Sequence, residues 1–279
     1  MKKDLILKTI FRILTYSTFL ATIGIFLVVI IDGARYFSID FFIKYPSNAM
    51  TEGGVFPAIV GSLILISLGI IFSVPLGIIM GIFLSEYDTL FFIKPIDVAL
   101  TSLSGIPSIV YGLFGLSLFC IRMNLGTSLI SASLTLSLMT LPVIASSVKE
   151  AVKAVPVELR EAAYALGCNK TEVISKVLLK AAKNRIITSA LIGSGRIFGE
   201  TAPIILTGAV FFSTHLPKSF LDPVMALPSH IYYVSMAYGE SAQWMAKASS
   251  ALLLIIVLII YSIAFTMRRG KIGLDNRGK

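Results

Sequence analysis

Five stretches of the chain contain no Asp, Glu, Lys or Arg: Ile13 to Ile31, Gly53 to Ser85, Val98 to Ile121, Met123 to Val148 and Ala248 to Met267. Each holds at least 19 residues, enough for one helix to cross the roughly 30 Å of hydrocarbon in a bilayer. A sixth apolar stretch, from Ile186 to about Phe212, is interrupted by two charges, Arg196 and Glu200. Only 14% of the 279 residues are charged, whereas an ordinary soluble domain has about 25%. The chain therefore reads as all-α: a polytopic membrane protein of six transmembrane helices, forming a single membrane domain over residues 1–279.

A net charge of +9 could suit nucleic acid, but the placement of the charges favours a membrane and no nucleic acid. With six spans and an inner N-terminus, four basic residues precede the first span and one lies between spans two and three. Eight more fall between Lys149 and Arg185, and five follow Met267, against five in the outer segments. The positive-inside rule then places both termini in the cytoplasm. The first window ends Val28-Val29-Ile30-Ile31-Asp32 with no small-residue cleavage site, so it reads as a retained span rather than a signal peptide. Cys120 and Cys168 fall on opposite sides of the bilayer and cannot pair within one chain. His215 and His230 lack a carboxylate or cysteine partner at metal spacing, so neither a metal nor a cofactor is expected.

The outer segments are Asp32 to about Glu52, a hairpin around Arg122-Met123-Asn124, and Ser213 to about Lys247, long enough for a short helix or re-entrant turn. The inner segment of about residues 149–185 has the best helical patterning outside the spans. Pro156 suits a first helical turn, and Glu158 and Glu161 complement the positive end of the helix dipole. Leu159, Ala162, Ala163 and Leu166 follow the spacing of one buried stripe, and Gly167 can take the left-handed cap conformation. A second helix restarts after Asn169 or Thr171, with Val173, Ile174, Val177, Leu178 and Ala181 on its apolar face. Such a hairpin could lie on anionic membrane lipid through its lysines. The small residues Ala162 and Ala163 beside Gly167 instead allow a partner protein to approach closely, which lipid does not require.

Glu161-Ala162-Ala163-Tyr164-Ala165-Leu166-Gly167, followed after nine residues by Val177-Leu178-Leu179, resembles the EAA loop of ABC-importer permeases. In that family the loop docks in a cleft of the cytoplasmic ATPase. The resemblance implies a coupling role for Glu161, Ala162, Ala163 and Gly167, and a MetI-like permease architecture. The family's proline falls on Lys180, which should leave the second helix continuous. Arg196-Ile197-Phe198-Gly199-Glu200-Thr201-Ala202-Pro203 is similar to the signature of the phosphate-specific transport permeases, with the Thr-Ala-Pro ending of their PstA subunits. Gly53 to Ser62, Leu84-Ser85-Glu86-Tyr87 and Ile106 to Gly115 resemble the same subunits in the same order. What this implies is a half-path for phosphate across the bacterial inner membrane, with Arg196, Glu200 and Thr201 on it. The implied partners are a second, PstC-like permease, a homodimeric PstB-like ATPase and an extracytoplasmic PstS-like phosphate-binding protein.

Independently of any family, a charge at mid-bilayer costs from about 2.5 to well over 10 kcal/mol, so it normally faces a partner or a water-filled path. On one helix Arg196 and Glu200 share a face and can neutralise each other, which is one reading of the pair. The other is that the guanidinium presents its fork of donors to an oxyanion while the carboxylate holds it in place. Gly195 and Gly199, joined by Gly193, have the small-xxx-small spacing of close helix packing. Serines and threonines in Ser131 to Ser147 either line a cavity or bridge helices. Pro75, Pro107, Pro142 and Pro203 fall in or near spans and are expected to kink them, with freed carbonyls satisfied by neighbours or water.

No Gly-x-x-x-x-Gly-Lys-Ser/Thr string occurs, so a phosphate-cradling loop for ATP is absent and energy must come from another chain. The alternatives are an ABC permease for another oxyanion or a self-sufficient proton-coupled carrier in which Glu200 titrates. An enzyme is disfavoured, since the spans hold no nucleophile and base at useful spacing.

Overall fold

The computed structural model describes residues 2–237 and 239–269. Of the C-terminal basic cluster, Lys271, Arg277 and Lys279 lie outside the described residues. A long rim helix α1 (Lys2–Ala34) leads through a short α2 (Ile39–Ile43) to α3 (Phe56–Glu86). Then follow α4 (Ile93–Ser104), α5 (Ser108–Gly115) with a π-helical continuation over Leu116–Arg122, and α6 (Leu129–Lys153). A hairpin comprises α7 (Val157–Ala165) and α8 (Lys170–Glu172), whose helix runs on through a π segment (Val173–Leu178) into α9 (Leu179–Gly199). After a break come α10 (Ala202–Thr207), α11 (Leu227–Ala237) in the last long connection, and α12 (Gln243–Arg269).

Within α1, α3, α6 and α12 the residues Leu7–Ala34, Phe56–Glu86, Leu129–Lys153 and Gln243–Met267 are long and apolar enough to cross a membrane. The third expected crossing, Val98 to Ile121, is not a straight helix. It folds between α4 and α5 by 104°, because Pro107 holds an extended ψ of 139° and disfavours helix at the residue before it. The break would strand carbonyls in an apolar setting, and the Tyr111 hydroxyl donates to that of Leu103 at 2.8 Å. Pro75 and Pro142, by contrast, lie inside continuous helices.

The sixth apolar stretch is likewise interrupted. α9 stops at Gly199 and Glu200 is extended (φ −79°, ψ 134°), so Arg196 and Glu200 do not lie on one helix as their spacing suggests. Pro203 has no N–H to return to the carbonyl of Gly199, which removes the bond that would carry the helix onward.

Between lipid-solvated helices no hydrophobic drive operates, so close packing has to hold them together. The central pair is α3 and α6, seated on Gly77 and Gly81. A Cβ at Gly81 would fall 2.6 Å from the Ala145 carbonyl oxygen, and one at Gly77 would fall 2.7 Å from Ile144 Cγ2. The α6 hydroxyls are buried and bond to carbonyls one turn back, as Thr135 to Ser131 at 2.7 Å and Thr140 to Leu136 at 2.7 Å. Ser137 also reaches the Gly69 carbonyl of α3 at 3.1 Å. Of these hydroxyls Ser137 bridges two helices, and the others return to their own. Leu227 N donates to Ser62 Oγ at 2.8 Å, which pins the start of α11 to α3.

Candidate functional site

Arg196 occupies the last turn of α9, where a cation complements the negative end of the helix dipole. Its neighbours Ile197 and Phe198 are buried in the core with Leu65 and Ile66 of α3. Arg196 itself is 31% exposed and shares the open side of α9 with Ile192 and Gly199. Glu200 curls back after the helix end so that its Oε1 lies 3.6 Å from Arg196 Nε, with 17% of its side chain exposed. Among the described residues that is the one acidic group paired with Arg196, leaving the Nη donors of the fork uncommitted. Tyr111 of the α4–α5 elbow is within electrostatic reach of the guanidinium. Thr201 follows as the first residue of the turn into α10, which lies against Gly112 of α5. A Cβ on that glycine would fall 3.0 Å from Pro203 Cα.

The three glycines of α9 have different surroundings. A Cβ on Gly193 would fall 2.8 Å from Ile144 of α6, and one on Gly195 would fall 3.0 Å from the Tyr261 ring of α12. At Gly199 nothing lies within 4 Å. Gly77 and Gly81, both of which are in close contact with α6, were missed by sequence reading although they have the same spacing.

At the inner end α7 begins after Pro156 and ends in a left-handed Gly167 (φ +84°). Gly167 N–H donates to Tyr164 O at 2.9 Å and Cys168 N–H to Ala163 O at 3.1 Å, the two bonds of a Schellman cap. The expected buried stripe is corrected: Ala163 is buried, but Leu159 and Ala162 are exposed and Leu166 is 85% exposed. A nine-residue helix rests on its own chain through Ala163, and its other apolar residues, with Val157 and Tyr164, face outward together with Glu161. The cap of the second helix is Asn169, not Thr171. Its Oδ1 accepts from Glu172 N at 2.9 Å, and Glu172 accepts from Asn169 N at 3.1 Å, a reciprocal capping box. Val173 and Leu178 are buried as expected, but Ala182 takes the place of Ala181, because the wider π turns move the buried face forward by one residue. The helix runs through Lys180 without interruption.

Polar contacts that sequence spacing could not disclose join this hairpin to the spans, and a further ion pair joins two of the spans to each other. Arg160 Nη1 meets Glu86 Oε1 at 2.6 Å, and its Nη2 donates to the Val152 carbonyl at 2.9 Å. Lys170 donates to the Glu86 carbonyl at 2.5 Å and stands over the Tyr87 ring, 3.8 Å from its centre. Lys149 of α6 pairs with Asp97 of α4 at 2.8 Å.

Apolar crossings around an arginine at a helix break, with an amphipathic hairpin presented at one end, define a multi-pass transport permease. Residues 73–269 match the family described as "Binding-protein-dependent transport system inner membrane component", and the chain belongs to that family. It is 33% identical over 219 residues to the probable phosphate transport system permease protein PstA of Methanocaldococcus jannaschii, covering 78% of this chain and 77% of that one. It is 34% identical over 206 residues to PstA of Mycobacterium leprae (74% and 67% covered), and 32% identical over 254 residues to the probable ABC transporter permease protein YqgI of Bacillus subtilis (85% of each). Its fold matches the inward-facing MetNI methionine ABC transporter with a TM-score of 0.62 at 18% identity, covering 77% of this chain and 96% of that one. It also matches a bacterial alginate ABC transporter at 0.62 and 17% identity, covering 92% and 94%. The chain is thus a MetI-like permease of an ABC importer, a transport component.

Proposed function

We propose that this permease forms half of the path for inorganic phosphate into the cytoplasm. The observation that carries the reading is the Arg196 guanidinium at the helix break, open on one side and only loosely held by Glu200. An arginine fork matches phosphate oxygens in pairs, and a carboxylate at 3.6 Å restrains it without consuming its donors. The relatives named as phosphate permeases support the choice of anion. The open stripe of Ile192, Arg196 and Gly199 faces a second, PstC-like permease. The hairpin built on Glu161, Ala162, Ala163 and Gly167 docks a homodimeric PstB-like ATPase through the outward face of α7, with Ala163 seating the helix on its own chain, in the cytoplasm, where both termini lie. A PstS-like binding protein delivers phosphate from outside. ATP-driven closure of the ATPases moves the hairpin, and the spans rock to expose the Arg196 region inward.

Reconstitution tests this. The lone chain in liposomes should not move phosphate, whereas the four-component assembly should do so with ATP. In that assembly Arg196→Gln should lower uptake roughly 10- to 100-fold, the value of one charge-assisted hydrogen bond, and Arg196→Lys should restore it only in part. Normal uptake by Arg196→Gln, or uptake by the lone chain driven by a pH gradient, refutes the reading.

A further inference from the structure

We infer that Arg160 and Glu86 are positioning residues that make α3 the lever between the inner hairpin and the Arg196 break. The inference rests on the ATPase docking at α7. Both sides of the Gly167 turn grip the same point: Arg160 from α7 holds the Glu86 carboxylate, and Lys170 from α8 holds the Glu86 carbonyl and covers Tyr87. The hairpin is therefore fastened to the C-terminal end of α3 as a unit. Glu86 is only 7% exposed, and removing Arg160 would leave its charge buried without a counter-ion, so the contact resists separation.

From Glu86 the helix continues through Pro75, which removes one backbone hydrogen bond without ending it. α3 runs as one helix from Phe56, keyed to α6 at Gly77 and Gly81. Some 17 residues back from Glu86, roughly 25 Å at 1.5 Å per residue, it meets α9 at Gly69. A Cβ there would fall 3.0 Å from Ile197 Cδ1, and Ile197 is the residue next to Arg196. The covalent route from hairpin to Arg196 passes instead through the π segment Val173–Leu178, where wider i→i+5 turns replace the regular helical ladder. A push on α7 thus reaches the arginine through the ion pair and α3, with the hairpin and the end of α3 moving as one body.

The test uses the full assembly carrying Glu86→Cys, Arg160→Cys and Cys168→Ser; Cys120 is buried. With the ATPase still co-purifying, phosphate moved per ATP should fall about 2- to 30-fold, the usual span for residues that carry coupling. A short, reducible bis-methanethiosulfonate linker joining 86 to 160 should restore it, and reduction should remove the gain. Transport per ATP equal to that of the Cys168→Ser parent without the linker, or no recovery once the linker has formed, overturns the inference. Should the double variant fail to insert, Arg160→Lys, which keeps the charge, should lose less than Arg160→Ala; equal losses overturn it. Failure of the ATPase to bind the unmodified assembly refutes the docking reading, and this inference with it.

Discussion

The turn at Gly167 offers the most direct measure of how the hairpin is built. Its φ of +84° lies in the left-handed region, and a Cβ placed there meets nothing within 4 Å. Gly167→Ala therefore adds no collision, and its cost is the backbone alone, about 1–2 kcal/mol. Asn visits that conformation more readily, so Gly167→Asn should cost less. Proline cannot adopt it, since its ring fixes φ near −65° and removes the N–H that donates to Tyr164 O. A loss of 1–2 kcal/mol raises the open population of the cap by a factor of about 5–30. Hydrogen exchange read on the segment 163–170 in nanodiscs should accelerate by that factor for Ala, by less for Asn and by most for Pro. ATPase co-purification should weaken in the same order. Exchange in Gly167→Ala at the unmodified rate, or Asn opening faster than Ala, would show that the strain argument is wrong.

Gly81→Val should lower thermal stability in detergent by about 1–3 kcal/mol, the cost of overpacking, because its Cβ meets the Ala145 carbonyl at 2.6 Å and Val148 Cβ at 2.7 Å. Gly199→Ala, with open space around it, should leave the isolated chain unchanged; equal melting of the two variants would refute the α3–α6 contact. The Glu172 carboxyl is held below the ordinary glutamate value by the hydrogen bond from Lys176 and then by the Asn169 amide. Its stabilisation of the second helix is complete above that ordinary value and is lost as pH falls through the lowered one. The exchange difference between the unmodified chain and Glu172→Gln at the Glu172 amide should therefore hold at neutral pH and vanish in strong acid. A difference that persists there contradicts the capping role.

The crossings were legible because a bilayer selects on composition, and a run such as Gly53 to Ser85 has no alternative to a buried helix. A kink at Pro107 was legible from the proline, but its size was not, since hydropathy averages over Val98 to Ile121 alike whether the helix is slightly bent or folded there. The Arg196–Glu200 pair was found for a reason that is only half right: spacing of four implies one helix, whereas the carboxylate returns to the arginine from an extended residue. Gly77 and Gly81 are indistinguishable by pattern from Gly195 and Gly199, and only the position of α6 decides which pair is in contact. Glu86 and Arg160 are 74 residues apart, so no local pattern could join them. The hairpin stripe was read correctly as apolar, but of its four residues this chain itself buries only Ala163, since periodicity reports that a face needs covering and not what covers it. After the chain has packed against itself, two faces still need cover: Leu159, Ala162 and Leu166 on α7, and Ile192, Arg196 and Gly199 on α9. An arginine left open within the bilayer costs at least about 2.5 kcal/mol. With Glu200 on one side of it only, an arginine in the proposed path would need a second subunit or water to offset that cost.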